Sequence, residues 1–148
     1  ITILRKQAGY ENAFLNFNPQ AIVAMSDEHR EALYTNRDII RSKKKIDAIF
    51  TNAEAYLALE KQGEDFGRWL WSFVGGKPVI NSYKTQAQIP TENEASRAMA
   101  KALKKAGFKF VGPTICYAFM EAVGMVNDHV VSCHCYEPVV QQMKQFTL

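Results

Sequence analysis

The residues best suited to chemistry are a histidine and a cysteine four positions apart, His129 and Cys133. That spacing can bring both to one side of a helical turn. Imidazole and thiolate are good zinc ligands, and a closed structural site takes four, so the pair could supply two of the four. His134 and Cys135 follow directly, but Cys-x-Cys is not the two-residue spacer of a zinc knuckle, and they read as bystanders. Cys116 lies alone in an apolar stretch and reads as a small buried hydrophobe. Three cysteines, two of them crowded together, do not make a disulfide framework and favour a reducing compartment.

A second constellation runs from Leu103 to Cys116, read as helix, tight apolar turn, helix. Gly107 and Gly112 would let the chain reverse and let backbone approach a ligand closely. The second helix would open with unpaired N–H groups around Gly112 to Ile115, including Thr114, which makes an anion site. Lys105 and Lys109 lie beside it, and a DNA phosphate is the natural partner for such a contact. An ordinary helix–turn–helix link with a capping glycine has the same spacing, so spacing alone leaves both readings open. The net charge of +3, from 18 basic and 15 acidic residues, is too small to establish nucleic-acid binding. The local clusters say more: Lys101, Lys104, Lys105 and Lys109 on one side, Arg41 to Lys45 on the other. The second cluster reads as a solvated helix face.

The elements that position these groups read as almost entirely helical. Glu11 to Phe17 looks like a helix end, stopped at Asn18-Pro19, and Ala21 to Met25 like a short helical turn. Ser26 is an N-cap candidate for Asp27 to Leu33. Ser42 opens a longer helix whose apolar face carries Ile46, Ile49, Phe50, Ala53, Tyr56, Leu57 and Leu59, and Gly63 stops it. Asp65 to Val74 is the most aromatic stretch; Trp69, Trp71 and Phe73 alternate, so they cannot share one helical face, and most belong in the core. Gly75 to Pro78 breaks it. Val79 to Ile89 is poorly periodic and reads as a long connection. Thr91 to Glu94 matches a capping box for a helix through Ala95 to Ala106, with Ala98, Ala102 and Leu103 as core contacts. Pro113 fits the first position of the next helix, which ends at Gly124.

Three blocks carry a resemblance. They are Ile39-Ile40-Arg41 through Ile46 with Asn52-Ala53; Trp71 to Val74; and Lys101 through Tyr117 continuing as Gly124-Met-Val-Asn-Asp-His129-Val-Val-Ser-Cys133. In this order, from Ile1 to about Tyr136, the chain resembles the bacterial 3-methyladenine DNA glycosylase I family of the helix–hairpin–helix glycosylase superfamily. Asn127 stands where most of the superfamily has a catalytic aspartate. An amide can neither act as a base nor offset the charge of an oxocarbenium-like sugar, and this family also lacks that aspartate. Methylation at N3 makes the base a cation and weakens its bond, so extraction and recognition of the base are the main tasks.

The resemblance implies an all-α helix–hairpin–helix glycosylase fold forming one domain over 1–148, its hairpin at about 95–124, with a C-terminal zinc half-site. It implies hydrolysis of the N-glycosidic bond of 3-methyladenine in alkylated double-stranded DNA, releasing the free base and leaving an abasic site, without lyase activity. DNA contacts would come from Lys105, Gly107, Lys109, Gly112 and Thr114, with Tyr117 or Phe119 as walls of the base pocket. Structural zinc would sit on His129 and Cys133. The glutamate that reads the base, a neighbouring tryptophan and the other two zinc ligands are expected before the position matching Ile1, so no catalytic residue is expected in this chain, and activity of the segment by itself is not implied. A cytoplasmic bacterial monomer without membrane contact is implied as well. The alternative from another class is a non-catalytic hairpin module that holds phosphate and excises nothing. Residues 139–148 fall beyond the match and have no role assigned.

Overall fold

The computed structural model describes residues 1–148. The single domain expected over this length resolves into two compact units, Ile1–Glu64 with Ala106–Phe110, and Asp65–Lys105 with Val111–Leu148.

In the first unit, α1 (Gln7–Ala13), α2 (Pro19–Val23), α3 (Asp27–Leu33) and α4 (Lys43–Lys61) surround a core of Phe14, Ile22, Leu33, Ile39, Ile46, Phe50 and Ala53. The helix expected to reach Phe17 stops at Ala13 instead. Leu15, Asn16 and Phe17 then adopt φ of 52°, 54° and 56°, a left-handed run that costs about 1–2 kcal/mol per residue. Packing imposes it: Phe14 is fully buried, and the Phe17 N–H donates to the Phe14 carbonyl at 2.8 Å while the two rings stack. Asn18 then caps α2 by accepting from the Ala21 N–H at 2.9 Å, with Pro19 in the first turn. The pair read in the sequence as a helix stop therefore begins α2 instead.

Ser26 caps α3 as expected, accepting from the His29 N–H. Ser42 occupies the cap position of α4 but its side chain makes no cap bond. Asp47 of α4 instead anchors the pair: it accepts from Tyr34 Oη at 2.5 Å and from Arg30 Nη2 at 3.0 Å. These two donors hold the Asp47 carboxyl below the usual carboxylate range, the phenol first and the guanidinium second. Gly63, at φ 84°, ends α4 with the paired backbone bonds Glu64 N–H to Leu59 O and Gly63 N–H to Glu60 O.

The second unit holds α5 (Phe66–Ser72), α6 (Glu94–Lys105), α7 (Pro113–Ala122) and α8 (Tyr136–Lys144). The all-α expectation needs one amendment. Val79–Ile80 (β1) pairs in parallel with Val126–Asn127 (β2), and Gln86–Gln88 forms a 3-10 turn closed by a capping box between Thr85 and Gln88. The segment read as a plain connection is therefore partly ordered by backbone pairing that hydrophobic periodicity does not reveal. The capping box expected at Thr91 and Glu94 also lies elsewhere: Asn93 and Ser96 exchange side-chain and backbone bonds at 2.8 and 3.0 Å. With this start, α6 buries Ser96, Met99, Ala100 and Leu103, and Ala98 faces solvent.

Trp69 contacts Phe66 and Phe73, whereas Trp71 stacks on Phe146 with centroids 4.1 Å apart. The alternating aromatics thus do split between faces. Residues 139–148, without an assigned role in the sequence, carry most of α8, whose Val140 and Met143 are buried. No helix is long and apolar enough to cross a membrane.

Candidate nucleic-acid interface and metal site

The connection from α6 to α7 has its turn, Ala106–Phe110, in the first unit. Gly107 takes φ 100°, and a Cβ added there would meet only Ala55 Cβ at an ordinary 3.7 Å. Its requirement for glycine is conformational, not steric. Phe108 is buried beyond it. Lys109 is fastened at both backbone atoms by one side chain: its N–H donates to Asn52 Oδ1 at 2.8 Å and its carbonyl accepts from Asn52 Nδ2 at 3.3 Å. That leaves the lysine side chain exposed on a fixed backbone. Phe110 follows at φ 56° and remains 51% exposed. The glycines were expected to supply the reversal, yet half of it falls on a phenylalanine.

In the second unit, Lys105 is exposed in the last turn of α6. Gly112 precedes α7 in extended conformation, φ −70° and ψ 160°, and its carbonyl accepts the first helical bond from Cys116. Nothing lies within 4 Å of an added Cβ. Neither backbone geometry nor packing within the chain calls for glycine there. Pro113 occupies the first turn, Thr114 and Ile115 are exposed, and first-turn N–H groups have no partner inside a helix. A helix start of this kind can offer amides to an anion, with room for a backbone to approach. Cys116 is buried, as expected, and burial pushes its thiol upwards.

The two proposed pocket walls differ. Phe119 is exposed, whereas Tyr117 is 2% exposed. The Tyr117 hydroxyl donates to Asp128 Oδ2 at 2.5 Å, and Asn81 Nδ2 donates to Asp128 Oδ1 at 2.6 Å. Burial first, and the Asp128 contact second, push the Tyr117 phenol well above its ordinary range. Tyr117 is therefore a core side chain that holds Asp128, not an open wall. Asp128 is committed on both oxygens and is not placed as a free base. A cavity of about 590 Å³ lies between α7 and α8, lined by Glu121, Asn127, Asp128, His129, Val139 and Gln142 among others. Burial, and then the charge of Asp128, raise the Glu121 carboxyl.

Asn127, notable in the sequence only for what it replaces, is buried and holds the loop after β2. Its Nδ2 donates to the Tyr136 carbonyl at 3.4 Å and its Oδ1 accepts from the His129 N–H at 3.1 Å. His129 Nδ1 lies 3.7 Å from Cys133 Sγ. Two such donors on one tetrahedral zinc would stand about 3.6 Å apart, given ordinary bond lengths, so the pair fits the ion. His134 and Cys135, read as bystanders, also come close: the ligand atoms of Cys133, His134 and Cys135 all lie within 4.8 Å of one another. The Cys135 N–H donates to Cys133 Sγ at 3.5 Å.

Residues 1–136 match the family model described as methyladenine glycosylase. The chain belongs to the methyladenine glycosylase family. Among curated relatives, the DNA-3-methyladenine glycosylase 1 of Escherichia coli K12 is 51% identical over 92% of this chain and 73% of its own length. A crystal structure of 3-methyladenine DNA glycosylase I superimposes with a TM-score of 0.87 at 51% identity, over 91% of this chain and 74% of that one. A variant of such an enzyme in complex with 3-methyladenine gives 0.85 at 35% identity, over 91% and 73%. The match leaves residues 137–148, and with them most of α8, outside it.

Proposed function

We propose that this protein acts in base-excision repair as a DNA-3-methyladenine glycosylase, hydrolysing the N-glycosidic bond of 3-methyladenine in alkylated duplex DNA. The products are the free base and an abasic site, and no lyase step follows. One observation carries the reading: sequence and fold agree with this family in order over residues 1–136. The cationic base is already a good leaving group, so no general base at the position of Asn127 or Asp128 is needed. The engagement of both Asp128 oxygens accords with that.

The α6–α7 connection is the helix–hairpin–helix element in this proposal. Lys105 and Lys109 supply charge, the α7 start with Thr114 supplies donors, and Gly107 and Gly112 keep the backbone open to phosphate. Zinc would be held by His129 and Cys133, with two further positions to fill, and would brace the loop after β2 without entering the reaction. The protein would work as a monomer in the bacterial cytoplasm.

The test is release of free 3-methyladenine from N-methylated duplex DNA, with the E. coli relative as reference. Release above spontaneous loss supports the proposal. Duplex binding without release, by the gene-length protein as well as by this segment, would leave the non-catalytic hairpin module.

A further inference from the structure

The basic run Arg41–Lys45 reads in the sequence as a solvated face, but the structure gives part of it a neighbour. A cleft of about 420 Å³ in the first unit is lined by Lys44, Asp47, Ala48, Thr51, Lys109 and Phe110. Two lysines 65 positions apart in the chain thus share one opening, and one of them belongs to the proposed hairpin. The other charges nearby are already engaged. Asp47 is taken by Arg30 and Tyr34, so its charge is partly offset, and Lys43 lies over the Tyr34 ring at 4.7 Å. Lys44 and Lys109 are both exposed, and neither makes an ion pair. The Lys109 backbone is immobilised by Asn52, so one edge of the cleft is fixed before any ligand arrives.

We infer that the Lys44–Lys109 cleft is a second phosphate-binding position, through which α4 joins the Ala106–Phe110 turn in contacting DNA. The inference rests on duplex DNA being the substrate. Two ammonium groups without ion pairs around a concave surface, its one carboxylate already engaged by Arg30 and Tyr34, suit a diester phosphate, which each can meet as a point charge. The contact is independent of base sequence and would fix the protein's register on the duplex. Each phosphate neutralised releases condensed counterions, which makes the contribution measurable through salt.

The experiment is a salt titration of binding to an undamaged duplex by the wild type, Lys44→Gln, Lys109→Gln and Lys61→Gln, the last at the far end of α4. Thermal unfolding of each variant checks that the fold is retained. The expected result is a fall of about 0.9 in the slope of log K against log salt for Lys44→Gln, hence roughly an eightfold loss of affinity at about 0.1 M relative to 1 M salt. Lys109→Gln should show a comparable fall, and Lys61→Gln none. An unchanged slope for Lys44→Gln beside a reduced slope for Lys109→Gln would overturn the inference and leave the DNA substrate standing. An equal fall for Lys61→Gln would reduce the effect to net charge and also overturn it. A wild type without salt-dependent duplex binding would remove the DNA reading itself, and this inference with it.

Discussion

Asn52 and Lys109, 57 positions apart, exchange two hydrogen bonds between one amide side chain and both backbone polar atoms of the other residue. The amide substitutes for a strand neighbour and fixes the turn without any regular pairing. Asn52→Ala should lower stability by about 1–3 kcal/mol, because it removes partners from two backbone groups. It should also weaken duplex binding, although Asn52 is not itself a phosphate ligand here. Chemical denaturation and a binding isotherm on the same preparation check both effects.

The two hairpin glycines should separate under substitution. Gly107→Ala forces an L residue to φ 100° and should cost about 1–2 kcal/mol. Gly112→Ala meets nothing within 4 Å and keeps an allowed backbone, so its cost should stay under about 1 kcal/mol. If phosphate approaches there, Gly112→Ala should nevertheless depress DNA affinity as much as Gly107→Ala does. Affinity unaffected by Gly112→Ala would move the phosphate away from the α7 start.

Tyr117 gives the protein an alkaline limit. Its folded phenol is pushed above the ordinary 10.0, so the native state keeps a proton that the unfolded chain releases. The associated stability is fully present below the unfolded value and is lost as pH rises past it, by about 1.4 kcal/mol per pH unit for one proton. Tyr117→Phe should lower stability near neutrality by about 1–3 kcal/mol, because Asp128 loses a donor, and should flatten the decline above about pH 10. Urea titrations across that range provide the comparison.

The metal proposal is separable by ligand. Cobalt loaded in place of zinc should give thiolate charge-transfer absorption that Cys133→Ser and His129→Ala each abolish. Cys135→Ser should retain it. Loss of the band with Cys135→Ser and its survival in His129→Ala would transfer the site to the run Cys133-His134-Cys135.

Much of the helical layout was legible because its signals are local. Ser26, Pro113, Gly63 and Gly124 act within one turn of where they stand, and the apolar spacing of α4 survives in its buried Ile46, Phe50 and Ala53. The failures arise where distant contacts override local preference. Thr91 offered as good a cap as Asn93, and the Asn93–Ser96 exchange places the cap two residues later than that reading. The left-handed run Leu15–Phe17 is dictated by burial of Phe14, which no propensity at those residues foretells. Within the candidate site, the approach of His129 to Cys133 follows from their four-residue spacing, and the exposure of Lys105 and Lys109 from their charge. Asn52 stood in a matching block without a role, because an asparagine's partner half a chain away leaves no periodic trace. Asp128 and Tyr117 likewise found each other only through the fold.

The stacking of Trp71 on Phe146 has a practical consequence. With only two tryptophans, and Trp69 enclosed by Phe66 and Phe73, Trp71 is an optical probe of whether the last helix is seated. Detachment of α8 would uncover an indole, and its emission would shift to the red before the rest of the chain unfolds. A fluorescence trace and a circular-dichroism trace that part company on heating would identify the C-terminal helix as the first element to leave.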